Sequence, residues 1–118
     1  MASSDDYIDA FMDARTIDVS RAALVIIDMQ NATGSRNGAL GRRLAAQGSS
    51  VGDYRFDRIE RLIVPNSRRL LEAFRSGSRR VVYVTIGASL PDASDAPPHT
   101  RKLFVETQNY LGSREHEI

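Results

Sequence analysis

Hydrophobic positions along the chain are concentrated in two short runs that predict β-strands. Residues 22 to 27 form an unbroken apolar run rich in β-branched types, and residues 80 to 86 form a second, largely apolar run. A continuous apolar run of this length is typical of a strand buried on both faces of a parallel sheet. The first run ends in Asp28, so we expect this carboxylate at the carboxyl edge of a central strand. Open α/β sheets place their ligand crevices there, although capping of the following turn is the alternative role.

Helical periodicity predicts two helices that accompany these strands. The first begins near residue 57 and ends at Gly77, where a left-handed glycine would stop it, and Pro65 is expected to begin or bend it. The second runs from about residue 100 to residue 110 and is expected to end at Gly112. Ser113 and the acidic residues after it then predict the start of another short helix.

The remaining segments predict an amino-terminal arm and a cover over the crevice. Residues 5 to 13 have the spacing of a short amphipathic helix, which we expect to dock on the same subunit or on a neighbour in a homo-oligomer. Residues 31 to 56 contain five glycines and little periodicity. A long irregular connection of this kind tends to be a lid or a binding loop, and its position after Asp28 places it over the crevice. The chain thus divides into an arm at 1–19 and a domain at 20–118.

The composition argues against several classes of function, among them nucleic-acid binding and membrane insertion. With 42% hydrophobic and 26% charged residues, the chain of 118 residues has the balance of a soluble globular domain. A net charge of +1 gives no field that would attract nucleic acid or anionic lipid. The absence of cysteine removes disulfides as a pointer to an oxidising compartment. No apolar run is long enough to span a membrane, and the first residues lack signal-peptide features, so a cytoplasmic location is expected.

Few patterns of catalytic residues are present. The two imidazoles, His99 and His116, have no ligand-spaced partner, so no metal site or other cofactor is predicted, and both are expected in loops or on the surface. No serine lies in a nucleophile elbow, and no glycine pattern of a phosphate-binding loop occurs. Aspartyl phosphoryl transfer would need a second Asp two residues after Asp28, where the chain has Gln30.

The run Ala-Leu-Val-Ile-Ile-Asp-Met-Gln-Asn at residues 23 to 31 resembles the opening of the isochorismatase-like cysteine hydrolases. Three later segments resemble that family's helix, its second strand and the region before its third strand: Ile-Val-Pro-Asn at 63–66 with Arg-Leu-Leu-Glu-Ala-Phe at 69–74, Val-Val-Tyr-Val at 81–84, and Gly-Ser-Arg-Glu-His-Glu-Ile at 112–118. The resemblance covers roughly residues 20 to 118. It implies an α/β fold with a Rossmann-like, three-layer parallel sheet.

The same resemblance implies a site and a reaction. Asp28 matches the general base of an Asp, Lys and Cys triad that hydrolyses a small-molecule substrate, here expected to carry an amide or ureido C–N bond. Gln30, Asn31 and Ile86 are candidates for substrate contact, although the Gln at this place in the family is mostly structural. Members of the family are considerably longer, and their Lys and Cys lie in the second half.

The chain departs from that family pattern in ways that affect both fold and function. It has no cysteine, and its single lysine, Lys102, precedes the place of the catalytic lysine. Two predicted strands and one long helix between them also leave sheet edges and helix faces uncovered. We therefore expect a carboxyl-terminal half, as a separate chain or a missing segment. The alternative is a non-catalytic isochorismatase-like module used for assembly or ligand binding.

Overall fold

The computed structural model describes residues 16 to 118, which form a mixed α/β structure with a small parallel sheet. Its elements follow one another as a 3₁₀ turn (Val19–Arg21), β1 (Ala23–Ile27), α1 (Asn31–Gly34), α2 (Ala39–Ala46), α3 (Asp53–Arg58), a π-helical turn (Ile59–Ile63), α4 (Val64–Ser76), β2 (Arg80–Val84) and α5 (Pro98–Thr107). The helix predicted at residues 5 to 13, and with it most of the arm, lies outside the described residues. Within residues 16 to 118, no helix is long and apolar enough to cross a bilayer.

The sheet consists of β1 and β2, which pair in parallel with Ala23 opposite Arg80 and Ile27 opposite Val84. Helix α4 packs against both strands. Only Ile26 of β1 is buried, whereas the neighbouring Ile27 is 60% exposed. The described residues therefore form the uncovered two-stranded sheet that the sequence predicted for this chain, and burial of β1 on both faces stays a prediction for a complete domain.

The helix before β2 begins earlier than predicted and contains a π-helical turn. Helix α3 starts at Asp53, and the turn Ile59–Ile63 joins it to α4. Proline has no N–H to donate, and Pro65 lies two residues after the end of this turn, as the second residue of α4, so the widened turn coincides with the missing hydrogen bond. The helix ends near Gly77 as expected, but Ser78 rather than Gly77 adopts the left-handed conformation, with φ of 53°.

The glycine-rich stretch at residues 31 to 56 is largely helical, because it contains α1, α2 and the start of α3. The prediction of an irregular connection there is therefore wrong. Arg36 fixes the stretch through ion pairs with Asp53 at 3.3 Å, Asp57 at 2.8 Å and Glu60 at 3.2 Å. Its guanidinium also lies 5.4 Å from the ring centroid of buried Phe56. The hydrogen bond to Glu60 raises the pKa of Arg36, as expected for a guanidinium among three carboxylates.

The start of α2 is stabilised by a residue from the far end of the chain. Gly38 immediately precedes the helix and, as a glycine, has no side chain that could cap it. The buried Glu115 caps the helix instead. One carboxylate oxygen of Glu115 accepts the N–H of Ala39 at 2.8 Å, and the other binds the Arg42 guanidinium at 2.9 Å. A negative charge at a helix amino terminus also opposes the positive end of the helix dipole.

A small apolar cluster lies beyond β2. Ala88, Ala93, Ala96 and Phe104 are buried together, and Tyr110 packs against them. The loop that brings them together is closed by Asp95, whose carboxylate accepts the N–H groups of Ser89 at 2.8 Å and Leu90 at 3.2 Å.

The end of α5 differs from the expectation. The helix stops at Gln108, which has φ of 53°, and not at Gly112. Gly112 lies in the turns that occupy the place of the predicted short helix. The left-handed residue that ends the helix is thus Gln108, and the left-handed Gly112, with φ of 85°, belongs to a later turn.

Gly38→Ala is expected to lower the free energy of unfolding by about 1–3 kcal/mol, because overpacking a close contact forces the backbone to shift. A Cβ on Gly38 would lie 1.6 Å from the carbonyl oxygen of Asn31. Gly34→Ala is the matched control, since a Cβ there meets no atom within 4 Å. Urea unfolding of both variants is the measurement, and equal stabilities would contradict the close approach.

Asp95→Asn is expected to lower the melting temperature at neutral pH, with the difference shrinking in acid. The hydrogen bond from Ser89 lowers the pKa of Asp95 below its ordinary value of 3.8. A carboxyl with a lowered native pKa stabilises the fold above its unfolded pKa, and this contribution is lost as pH falls through the native pKa. Melting curves of both proteins from pH 7 to pH below 3.8 test this, and a constant difference across that range would contradict it.

Candidate functional site

Asp28 lies directly after β1, at the carboxyl end of the strand as the sequence predicted. Its N–H donates to the carbonyl of Val84 at 2.8 Å, so the parallel pairing extends to this residue. Its φ is 56°, in the left-handed region that Asp and Asn enter more readily than other non-glycine residues. The left-handed turn ends the strand, and Asp28 stays exposed at the sheet edge.

The side chain of Gln30 continues the sheet where the backbone of β1 has turned away. Its Oε1 accepts the N–H of Ile86 at 2.8 Å, and its Nε2 donates to the carbonyl of Ile86 at 3.0 Å. A side-chain amide thus pairs with a peptide in the way that a strand residue would. The second hydrogen of Nε2 reaches the carbonyl of His116 at 3.0 Å. Gln30 is 3% exposed, and these bonds occupy both hydrogens of its amide.

Three residues that the sequence did not bring together meet beside this amide. The buried Asn109 donates from Nδ2 to the carbonyl of Ile86 at 2.9 Å, and its Oδ1 lies 3.0 Å from Nδ1 of His116. On the other side of the imidazole, Nε2 lies 3.1 Å from the hydroxyl of Thr85. His116 lies in a turn and is half-buried, so the expected surface position holds only in part. The position of Thr85 at the end of the second predicted strand was the one signal available in the sequence.

Asn31 and Ile86 also lie at this edge, but their polar groups are engaged within the chain. Asn31 begins α1, and its Nδ2 donates to the carbonyl of Arg114 at 2.9 Å while its N–H donates to that of Glu117 at 2.9 Å. The apolar side chain of Ile86 is 52% exposed. A pocket of about 290 Å³ adjoins Gln30 and Asn31. Substrate contact by Gln30, Asn31 and Ile86 stays a prediction. The surfaces that a substrate could contact are the exposed part of Ile86 and this pocket.

The charged residues of the described part of the chain form ion pairs and no cluster of metal ligands. Across residues 16 to 118, no three His, Asp or Glu side chains converge as ligands for a metal ion. Lys102 lies on α5, where its Nζ is 3.7 Å from Glu106. Glu106 also binds Arg43, and that hydrogen bond is the main cause of the lowered pKa of Glu106. Lys102 therefore belongs to a surface ion-pair cluster between α2 and α5.

Gln30→Ala is expected to destabilise the protein by about 2–3 kcal/mol, because the amide of Ile86 and the carbonyl of His116 would lose buried partners. Gln47→Ala serves as the control, since Gln47 is exposed at the end of α2 and should change the free energy of unfolding by less than about 0.5 kcal/mol. Chemical denaturation of the two variants checks the difference. A neutral Gln30→Ala would contradict the structural role of this side chain.

No protein-family model, curated protein or solved structure matches this chain.

Proposed function

We propose that this chain supplies the aspartate-bearing half of an isochorismatase-like cysteine hydrolase with a Rossmann-like, three-layer sheet. The substrate would be a small molecule with an amide or ureido C–N bond. The single observation that carries the proposal is the place of Asp28, an exposed carboxylate at the carboxyl end of a strand in a parallel pair. Ligand crevices of open α/β sheets form at this edge, and the motif around Asp28 is the part of the chain that most resembles the family.

The proposed chemistry assigns Asp28 a proton-transfer role. A thiol attacks a carbonyl effectively only as thiolate, so a nearby base must take its proton. Asp28 would accept that proton with the help of a lysine ammonium and later return it to the leaving amine. The thioester formed by the attack is then hydrolysed by water. The chain has no cysteine, and Lys102 pairs with Glu106, so the Lys and Cys would come from a carboxyl-terminal half.

The uncovered sheet supports the presence of such a half. Val25 and Ile27 of β1 are 48% and 60% exposed, and Val82 and Val84 of β2 are 37% and 42% exposed. Contiguous apolar surface of this kind is typical of an interaction site. A third strand and its helices would cover it in the proposed fold, and a homo-oligomer would bury further surface. The alternative function, a non-catalytic assembly module, would use the same surface without the proton transfer.

Asp28→Asn is expected to lower turnover of the complete assembly by about 10²–10⁴-fold, the usual contribution of a general acid or base. The assembly is purified from its source through a tag on this chain, and release of ammonia from a panel of small amides and ureas is measured. The melting temperature should stay within a few degrees, because Asn also tolerates the left-handed conformation of residue 28.

Asp18→Asn is the matched control, since Asp18 lies before the amino end of β1 and only caps a 3₁₀ turn. This variant should keep its turnover. Retention of activity in Asp28→Asn to within about tenfold would overturn the assignment of a general base. An assembly that forms but hydrolyses none of the panel would favour the non-catalytic module.

A further inference from the structure

We propose that Thr85, His116 and Asn109 form a second reactive site, in which the Thr85 hydroxyl accepts an acyl group from a small activated ester. The three side chains form a continuous line of contacts, with Thr85 Oγ1 3.1 Å from His116 Nε2 and His116 Nδ1 3.0 Å from Asn109 Oδ1. Hydroxyl, imidazole and a third orienting group are the parts of a nucleophilic hydrolase site, and such sites are recognised by geometry. This site needs neither cysteine nor lysine.

The hydrogen-bond network sets the imidazole in the tautomer that a base requires. Asn109 donates from Nδ2 to the carbonyl of Ile86, so its Oδ1 is the atom that faces His116. Gln30 Nε2 also lies 3.3 Å from Nδ1 of His116, but its two hydrogens point to the closer carbonyls of Ile86 and His116 at 3.0 Å. The partner of Nδ1 is therefore an acceptor, which assigns the proton to Nδ1 and leaves a lone pair on Nε2. That lone pair faces the Thr85 hydroxyl.

The surroundings leave room for a small substrate. Thr85 and His116 line an open cleft of about 490 Å³ together with Tyr83, Glu117 and Ile118. Thr85 itself is exposed, whereas Asn109 is 4% exposed. The nucleophile thus faces solvent while the residue that orients the base is held in the interior. Tyr83 and Ile118 present apolar surface against which a short acyl chain can pack, and Glu117 disfavours an anionic ester.

The proposed reaction transfers an acyl group through one covalent intermediate. Thr85 Oγ1 attacks the carbonyl carbon of the ester, and the hydroxyl proton passes to His116 Nε2. The bond from that carbon to the leaving oxygen then breaks, and the leaving oxygen takes the proton from Nε2. Water next attacks the acyl-threonine and gives a proton to Nε2. The acid departs as Thr85 recovers this proton, which returns the site to its starting state.

The experiment uses the full chain with p-nitrophenyl acetate as the probe. Release of nitrophenolate gives the rate, the intact mass reports acetylation, and peptide fragmentation locates the acetyl group. We expect acetyl-Thr85 in the wild-type chain and in Thr85→Ser, with Thr85→Val losing it. His116→Asn keeps a donor toward Asn109 but removes Nε2, so its rate should fall by about tenfold or more. Thr100→Val is the matched control, because Thr100 bonds only to the carbonyl of Pro97, and it should react as wild type.

Three results would overturn the proposal. Acetylation confined to Lys102 or the amino terminus, or no acetyl-Thr85 together with nitrophenolate release no faster than in Thr85→Val, would show that the Thr85 hydroxyl is not activated. Acetylation of Thr85 at an unchanged rate in His116→Asn would show that the imidazole plays no part. If a variant fails to fold, the side-chain ¹⁵N shifts of His116 in the wild-type chain decide, since the proposal requires the neutral form protonated at Nδ1 and fails if Nε2 carries the proton.

Discussion

The pairing of the Gln30 side chain with the peptide of Ile86 is the interaction on which this edge of the sheet depends. A backbone that turns left-handed at Asp28 can no longer pair with the second strand, and the amide of Gln30 replaces it with two hydrogen bonds of 2.8 Å and 3.0 Å. The carbonyl of Ile86 also accepts a hydrogen bond from Nδ2 of Asn109. The second hydrogen of Gln30 Nε2 is donated to the carbonyl of His116. Segments separated by 56 and 86 residues meet at this one side chain. A buried amide with every polar atom engaged contributes specificity, since any other arrangement would leave a polar atom without a partner.

Asp28 and the buried amides at the same edge of the sheet have different roles because their surroundings differ. Asp28 is exposed to solvent, whereas Gln30 and Asn109 lie in the interior. The apolar side chains of β1 and β2 are largely in solvent, whereas Gln30 and Asn109 are almost fully buried. In the proposed assembly, a covering half would remove water from the strand ends as well as from these apolar residues. Electrostatic interactions strengthen when water is excluded. The same association would therefore cover the sheet and assemble the proposed triad of Asp, Lys and Cys.

The sequence predicted those features that depend on local pattern. Apolar runs placed both strands to within two residues, and the end of the first run placed Asp28 at the strand terminus. The helical nature of residues 31 to 56 was missed because distant contacts fix it, among them the ion pairs of Arg36 and the cap supplied by Glu115. The meeting of Thr85 with His116 was missed for the same reason, since 31 residues separate them and neither belongs to a recognisable spacing motif. The glycine signal at Gly77 placed the end of the helix correctly, but the left-handed conformation lies at the next residue, Ser78.

The cap that Glu115 provides for α2 has a consequence for the order of folding during synthesis. An isolated helix of eight residues is marginal in water, and α2 has no cap from its own preceding residue. Its partner lies 76 residues further along the chain, which corresponds to roughly 4–15 s of synthesis at about 5–20 residues per second. During that interval the amino end of α2 lacks both its cap and its charge partner. The contact with Glu115 is also slow to form, because the two segments are far apart in the sequence. The residues around α2 therefore spend seconds on the ribosome in an incompletely folded form. They are exposed to chaperones and proteases until Glu115 has been synthesised and binds the start of the helix.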